Sequence, residues 1–69
     1  MKNQNFQNNL SHALKASKLS QTQLAEKLGT TQQTVSRWLN GINEPDLSML
    51  VEICKILNET PNSLLSFNE

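Results

Sequence analysis

Residues 20–41, SQTQLAEKLGTTQQTVSRWLNG, constrain the fold most, because two short segments of helical pattern are separated by only about three residues. Ser20-Gln21-Thr22-Gln23 has the form of a capping box, in which the serine hydroxyl accepts an amide hydrogen and the glutamine side chain reaches back. Gly29 suits the left-handed conformation that ends many helices, and Thr31 can cap the next one. The segment therefore predicts two helices joined by a tight turn.

Helical periodicity continues on both sides of this segment. Apolar residues recur at three- and four-residue steps near the N-terminus and predict a first helix over about residues 5–17. A fourth helix follows the stop and cap at Pro45-Asp46, and its expected inward residues are Leu47, Leu50, Val51, Cys54 and Leu57. Thr60-Pro61 provides the cap and first-turn proline of a short fifth helix. Because no strand-type alternation, repeat or linker divides the chain, we expect one all-α domain of five helices.

The 69-residue chain carries six Lys and Arg against six Asp and Glu, so its formal net charge is zero. A domain of this size buries only about 60% of the surface that its unfolded chain exposes, which leaves little core to shape a catalytic cleft. The charge balance gives no bulk electrostatic reason to expect nucleic acid or membrane partners. No apolar run resembles a signal peptide or a spanning helix, so we expect a soluble, cytoplasmic protein. Disorder is left open only for residues 1–4.

The third helix is predicted to carry an outward face made only of hydrogen-bonding groups. A step of about 100° per residue places Val35 and Leu39 on one side. The opposite side and the exposed first turn carry Gln32, Gln33, Ser36, Arg37 and Asn40. Glutamine can bond in bidentate fashion to adenine N6 and N7, and arginine to guanine O6 and N7. An ordinary solvated face would carry Lys and Glu, whereas residues 29–42 contain no acidic residue. This chemistry favours contact with base edges.

The sequence SQTQLAEKLGTTQQTVSRWLNGINEP, residues 20–45, resembles the core of the Cro and phage-repressor (XRE-type) helix-turn-helix DNA-binding family. The family pattern runs roughly as S-Q-x-x-L-A-x-x-x-G-x-[ST]-x-x-x-[IV]-S-x-[WLY]-E-x-G-x-x-x-P, and all its apolar, glycine and proline positions match. The resemblance implies a lambda-repressor-like domain of five helices, with the helix-turn-helix at helices 2 and 3. It also implies double-stranded DNA as the partner.

Two groups of DNA-contacting residues follow from the resemblance. The side chains implied to face base edges are Gln32, Gln33, Ser36 and Arg37. Gln21, in the first turn of the second helix, is implied to contact a phosphate, in agreement with the attraction of free helix-terminal amide hydrogens for phosphate. Further backbone contacts are expected from Thr31 and Asn40, and from Asn43 in the following loop.

Two departures from the family pattern reduce the number of cations near the DNA. Leu14 and Leu39 stand where relatives usually carry an Arg and a Glu that pair between helices, and apolar residues on both sides can replace such a pair without loss of stability. The loop after Gly41 also lacks the Lys or Arg of many relatives. The remaining cations are Arg37, Lys15, Lys18 and Lys27. We therefore expect a shallow dependence of DNA affinity on salt.

Apolar residues are numerous near the C-terminus. Leu57, Leu64, Leu65 and Phe67 either complete the small core or form an exposed patch of the kind that marks an interface. We expect a homodimer that associates through the fifth helix and the end of the fourth. This expectation agrees with the resemblance, because members of the family bind paired half-sites as dimers.

Three residues of chemical interest have simpler interpretations. His12 lies on a polar side of the first helix with no second His or nearby Cys, so we expect no metal site. Cys54 falls on the apolar stripe of the fourth helix and is expected to be a small buried hydrophobe. Trp38 is expected to point inward, because of its spacing from Val35, instead of stacking on a base. No paired acid and base or pocket suggests an enzyme, a cofactor or a small-molecule ligand.

Two classes of function remain open. The favoured one is a sequence-specific transcriptional regulator, a repressor in preference to an activator, that binds palindromic operator half-sites as a dimer. The alternative is a protein-interaction module such as an antirepressor or the antitoxin of a toxin–antitoxin pair. Zero net charge favours the alternative slightly. The polar face of the third helix argues against it, because protein-binding surfaces usually carry aromatic or apolar anchors.

Overall fold

The structure, a computed structural model, describes residues 4–64 and the side chains of residues 6–64. Its five α-helices are α1 (Gln4–Ser17), α2 (Gln21–Leu28), α3 (Gln32–Leu39), α4 (Leu47–Leu57) and α5 (Pro61–Leu64). No strand occurs in this part of the chain, and the predicted all-α, five-helix class is confirmed. Gln4, grouped above with the residues for which disorder is left open, is the first residue of α1. A bilayer-spanning helix, which needs about 20 apolar residues, is absent from residues 4–64.

Side-chain caps start four of the helices. At α2 the capping box is complete, because Gln23 N donates to Ser20 Oγ at 3.0 Å and Ser20 N donates to Gln23 Oε1 at 2.9 Å. The other three caps each accept one backbone amide hydrogen: Thr31 Oγ1 from Thr34 N (3.2 Å), Asp46 Oδ1 from Met49 N (2.8 Å) and Thr60 Oγ1 from Ser63 N (3.0 Å). Each cap of this kind stabilises a helix by about 0.5–2 kcal/mol. All four capping residues are among those predicted from the sequence.

The turn between α2 and α3 is short because α2 ends on a left-handed glycine. Gly29 has a φ of 75°, and its amide donates to Glu26 O at 3.2 Å. Thr30 N then donates to Ala25 O at 2.9 Å. These bonds satisfy carbonyls that the end of α2 would otherwise leave without partners. Residues 29–31 alone connect the two helices, as predicted, and hold them in a helix-turn-helix.

One apolar core joins the five helices. Its buried members are Phe6, Leu10, Ala13, Leu14, Leu24, Ala25, Val35, Trp38, Leu50, Ile53, Cys54, Leu57 and Leu64. Leu39 is partly buried and packs against this core. No polar or charged side chain of the described residues is buried. Leu14 is a core residue and Leu39 packs against the core, so both positions carry apolar contacts instead of an ion pair. Trp38 and Cys54 are buried as predicted.

The inward face of α4 differs from the prediction. Leu47 is 74% exposed and Val51 38% exposed, whereas Ile53, which is not among the predicted inward residues, is 0% exposed. The buried stripe consists of Leu50, Ile53, Cys54 and Leu57, in which each residue lies three or four positions from another member. At about 100° per residue, positions 47 and 51 fall on the far edge of this stripe. The apolar residues of α4 cover more than one face, and packing against the other helices selects the face that is buried.

Two residues of the predicted dimer patch are core residues of this chain. Leu57 and Leu64 are 4% and 1% exposed. Asn9 in α1 helps to hold α5 in place, because its Nδ2 donates to Leu64 O at 2.9 Å and to Ser63 O at 3.2 Å. Leu57 and Leu64 therefore complete the core of this chain and contribute nothing to an exposed patch. Leu65 and Phe67 lie outside the described residues.

Candidate nucleic-acid interface

The residues predicted to contact bases lie on the outward face of α3. Gln32, Gln33 and Arg37 are exposed and Ser36 is half-buried, while Val35 and Trp38 are buried on the opposite face. The helix is short, its first turn is capped by Thr31, and its buried face packs into the core. The four side chains thus form one hydrogen-bonding surface, which we call the α3 polar face.

A hydrogen bond between side chains joins the α3 polar face to α2. Gln32 Nε2 donates to Gln21 Oε1 at 2.7 Å. A glutamine amide has two donor hydrogens and an acceptor oxygen, so this bond uses one hydrogen of Gln32 and leaves its other hydrogen and its oxygen for a ligand. That remaining pair matches N7 and N6 of adenine. The structure therefore brings together one predicted base-contacting residue and one predicted phosphate-contacting residue.

The N-terminus of α3 also offers backbone donors. Thr31 Oγ1 accepts from Thr34 N at 3.2 Å and shares a 3.0 Å hydrogen bond with Thr34 Oγ1. Val35 N donates to Thr31 O at 3.3 Å. The amide hydrogens of Gln32 and Gln33 have no intrahelical partner at this position of a helix. Such hydrogens attract anions, so Thr31 lies beside a surface suited to a phosphate.

A second pair of polar side chains lies one turn further along α3. Asn40 Nδ2 donates to Ser36 Oγ at 3.3 Å. The serine hydroxyl then has its own hydrogen available to donate, and the Asn40 amide keeps a second donor hydrogen. Asn40 is exposed at the C-cap of α3. The structure thus places Ser36, predicted to contact a base, next to Asn40, predicted to contact the DNA backbone.

The end of the α3 polar face borders a shallow depression of about 260 Å³ between α3, the following loop and α4. Arg37 and Asn43 both line it, so the structure brings the predicted loop contact beside the predicted guanine contact. Glu44 and Asp46 line the same depression. These acidic groups oppose the approach of phosphates. The N-terminal end of α3 carries no acidic residue.

The lysines differ in how close they lie to the helix N-termini. Lys18 is exposed in the turn before α2, two residues ahead of the Ser20 cap, with a φ of 59°. Lys15 and Lys27 are in the last turns of α1 and α2, where a cation interacts favourably with the helix dipole. Among these lysines, Lys18 is therefore the best placed to meet a phosphate bound at the α2 N-terminus.

The Gln7 side chain in α1 also contacts the C-terminal end of α3, a contact that the sequence pattern does not predict. Its Nε2 donates to Leu39 O at 3.3 Å. The partner is a backbone atom 32 residues away, which helical periodicity does not reveal. The nearest signal in the sequence is Gly41, which ends α3 and lies against the Gln7 side chain.

Cys54 and His12 do not form a reactive site. Burial raises the pKa of the Cys54 thiol, and the negative charge of Glu59 raises it further. A thiol of this kind stays protonated and is a poor nucleophile. His12 is exposed, and no group of His, Cys, Asp and Glu suited to a metal ion is present in the described part of the chain.

Comparison with known proteins identifies the class to which this fold and polar face belong. Residues 10–64 match the family model for helix-turn-helix proteins. The chain therefore belongs to the helix-turn-helix family, and the resemblance to the XRE-type family is confirmed.

Among the proteins similar to the chain are a bacterial relative and two proteins of solved structure. Over 60 residues it is 37% identical to an uncharacterized HTH-type transcriptional regulator, YqaE, of Bacillus subtilis (strain 168), covering 87% of this chain and 52% of YqaE. The chain thus spans about half the length of that relative. The solution structure of the SOS-response transcriptional repressor LexA from Eubacterium rectale has a TM-score of 0.89 at 22% identity, covering 99% of this chain and 72% of that one. A crystal structure of a transcriptional regulator from Listeria innocua has a TM-score of 0.82 at 26% identity, covering 93% and 60%.

Proposed function

We propose that this protein is a transcriptional repressor that binds double-stranded DNA in a sequence-specific manner, as a homodimer on palindromic operator half-sites. The observation that carries the proposal is the α3 polar face, in which Gln32 is held by Gln21 at 2.7 Å with a donor and an acceptor still available. Membership of the helix-turn-helix family and similarity to a protein described as a transcriptional regulator support DNA as the partner.

In the proposed complex α3 lies in the major groove, which is wide enough to admit a helix. Gln32 binds adenine through its free hydrogen and its oxygen, and Arg37 binds guanine. The two residues are separated by five positions, or about 7.5 Å along a helix, which corresponds to about two base-pair steps of 3.4 Å. Gln33 and Ser36 meet the bases between and beside them.

Contacts with the DNA backbone set the register of α3 in this arrangement. Gln21 donates its free Nε2 hydrogens to one phosphate, next to the amide hydrogens at the α2 N-terminus. Thr31 and the first amides of α3 meet a second phosphate, while Asn40 and Asn43 contact the backbone at the other end of the helix. Most of these contacts are neutral hydrogen bonds, so the complex depends little on ion pairing.

Dimerisation compensates for the small number of cations, because two linked half-site contacts bind more tightly than either alone. A two-fold dimer places its recognition helices in successive major grooves about 34 Å apart. Leu65 and Phe67 are the proposed interface residues, since Leu57 and Leu64 are already covered by the core. Repression then follows from occlusion of a promoter.

Selection of the protein against randomised duplex DNA at low salt, followed by sequencing, tests the proposal. We expect an inverted repeat with A and G at fixed positions in each half-site. Arg37→Ala is expected to lose about 1–3 kcal/mol and its preference at the guanine position. The control is Asn8→Ala, an exposed amide in α1 outside the proposed DNA and dimer contacts, and it should select the wild-type sequence. A folded wild-type protein that enriches no sequence would refute DNA recognition.

Two observations favour a second candidate, a protein-interaction module such as an antirepressor or antitoxin. Glu44 and Asp46 lie in the same depression as Arg37, and the chain has no net charge. If the protein is an interaction module, charge reversal at Glu44 should change binding of the protein partner, and neither wild type nor the variant should bind DNA. The DNA repressor predicts instead that Glu44→Gln strengthens DNA binding, because one acidic group near the phosphates is removed.

A further inference from the structure

The last turn of α3 needs partners for four backbone carbonyls, because no later turn of the helix supplies them. Three accept from amides that follow directly in the chain: Ser36 O from Asn40 N (3.0 Å), Trp38 O from Gly41 N (3.2 Å) and Arg37 O from Ile42 N (2.9 Å). The fourth, Leu39 O, accepts from Gln7 Nε2 in α1 at 3.3 Å. The C-terminal end of α3 is therefore completed by a side chain from another helix.

Gly41 leaves the space in which the Gln7 amide lies. A Cβ at this position would be 2.7 Å from the amide carbon, nitrogen and oxygen of Gln7 alike. Equal distances to three atoms of one planar group mean that the amide lies flat across the glycine. The φ of Gly41 is 74°, a value that favours glycine for a separate reason. The positive φ thus favours glycine here, and a Cβ would in addition displace the end of the flexible Gln7 side chain from its present position.

The position of Gln7 on α1 makes it a firm anchor. Phe6 and Leu10 on the same helix are fully buried, so the backbone that carries Gln7 is held by the core. Other side chains in this region, such as Leu14 and Leu39, pack through apolar contacts. Apolar burial has no directional preference, whereas a hydrogen bond depends on angle as well as distance. The Gln7 bond therefore adds an angular restraint at the C-terminal end of α3 to the restraint that the apolar packing already provides.

We propose that Gln7 is a positioning residue for base recognition, an inference that rests on the proposed function of α3. Its amide, packed between Leu39 O and Gly41, sets the tilt of the helix and hence the reach of Arg37 into the major groove. The N-terminal end of α3 has a separate polar contact with α2, the 2.7 Å bond between the Gln32 and Gln21 side chains. Loss of the Gln7 anchor therefore alters recognition at the Arg37 end of the half-site and leaves the Gln32 end unchanged.

The chain offers a matched pair of variants for this test. Gln7→Met keeps the length of the side chain and removes the amide donor. Asn9→Leu is the control, because Asn9 lies on the same helix and also caps a distant carbonyl, Leu64 O at 2.9 Å, but in α5. Both variants lose a hydrogen bond between helices and some stability. Only Gln7→Met loses one to the helix that meets DNA.

Titrations of the selected site and of its single-base variants give the first readout. For Gln7→Met, the preference for the selected base at the Arg37 position is expected to fall at least about fivefold, the lower end of what a bidentate contact supplies. The preference at the Gln32 position should remain that of wild type. Asn9→Leu should retain both preferences. Equal losses at both positions, or equal losses in both variants, would show a merely structural role and overturn the proposal.

Hydrogen exchange gives a second readout that needs no DNA. The amides of Gly41 and Ile42 close the last turn of α3, and we expect them to exchange faster in Gln7→Met than in Asn9→Leu. Unchanged exchange rates of these amides in Gln7→Met would show that Gln7 does not hold the end of α3. A wild-type protein that selects no DNA sequence would refute the proposed function and with it the specificity role, whatever the exchange rates. The two failures are therefore distinguishable.

Discussion

Gln32 in α3 and Gln21 in α2 are joined amide to amide, with Nε2 of the first donating to Oε1 of the second at 2.7 Å. Both side chains lie at the N-terminal turns of their helices, where backbone amide hydrogens attract anions. The bond fixes which edge of the Gln32 amide faces away from the protein. A residue proposed to contact phosphate thereby orients a residue proposed to contact a base.

This coupling predicts a non-additive pair of substitutions. Gln32→Ala should lose about 1–3 kcal/mol of DNA binding and the preference at one base position. Gln21→Ala should lose its own phosphate contact and part of the same preference, because the Gln32 amide is then free to rotate. Anisotropy titrations of the two single variants and the double variant should give an interaction energy of about 0.5 kcal/mol or more. Strictly additive losses would mean that the bond has no role in recognition.

The scarcity of cations near the α3 polar face predicts a shallow salt dependence. Neutralising about two phosphates per subunit corresponds to a slope near −1.8 in a plot of log affinity against log salt. Lys18→Gln should reduce this slope by about 0.9, the value of one phosphate contact. The control is Lys55→Gln, because Lys55 lies on α4 and is 3.7 Å from Glu52. An unchanged slope for Lys18→Gln would show that Lys18 contacts no phosphate.

The orientation of α4 about its own axis, with Ile53 inward and Leu47 outward, predicts unequal effects of two aliphatic substitutions on stability. Ile53→Ala should lower the free energy of unfolding by about 2–5 kcal/mol, because it removes a fully buried side chain from the core. Leu47→Ala should change it by no more than about 0.5 kcal/mol, since Leu47 is exposed. Urea denaturation followed by the fluorescence of the buried Trp38 measures both. A large loss for Leu47→Ala would indicate that this side chain is covered, for example in a dimer.

The buried thiol of Cys54 predicts a dependence of stability on pH. Burial raises the pKa of this thiol in the folded protein, and Glu59 adds to the effect. Below the ordinary thiol pKa the group is protonated in both states, and its contribution to stability is fully present. As pH rises through that range the unfolded chain loses the proton first, so unfolding becomes more favourable.

Denaturation of wild type and Cys54→Ala across this pH range measures the effect. The stability of wild type relative to the variant should fall as the solution becomes more alkaline. A difference that stays constant with pH would contradict the burial of the thiol. Modification of Cys54 by thiol reagents should also be slow in the native protein and fast in urea, because the native thiol is buried and protonated.

Most of the helix boundaries follow from interactions within a few residues. The caps at Ser20, Thr31 and Asp46 and the left-handed Gly29 act on neighbouring backbone groups, so their effects are visible in sequence order. The apolar spacing of α3 likewise predicts that Val35 and Trp38 are buried and that the opposite side is polar. The helix-turn-helix and the membership of the α3 polar face were therefore predictable from the amino-acid sequence.

The remaining features depend on contacts between residues far apart in the chain. Packing against the other helices turns Ile53 inward and Leu47 outward, although both are apolar. Folding also brings Gln7 to a carbonyl 32 residues away, where a backbone atom is the partner. A hydrogen bond to a backbone carbonyl leaves no pattern of residue types, and a helix with apolar residues on several faces has no single inward side of its own. Local sequence thus defines the helices, whereas packing defines their rotation and the anchor that holds the end of α3.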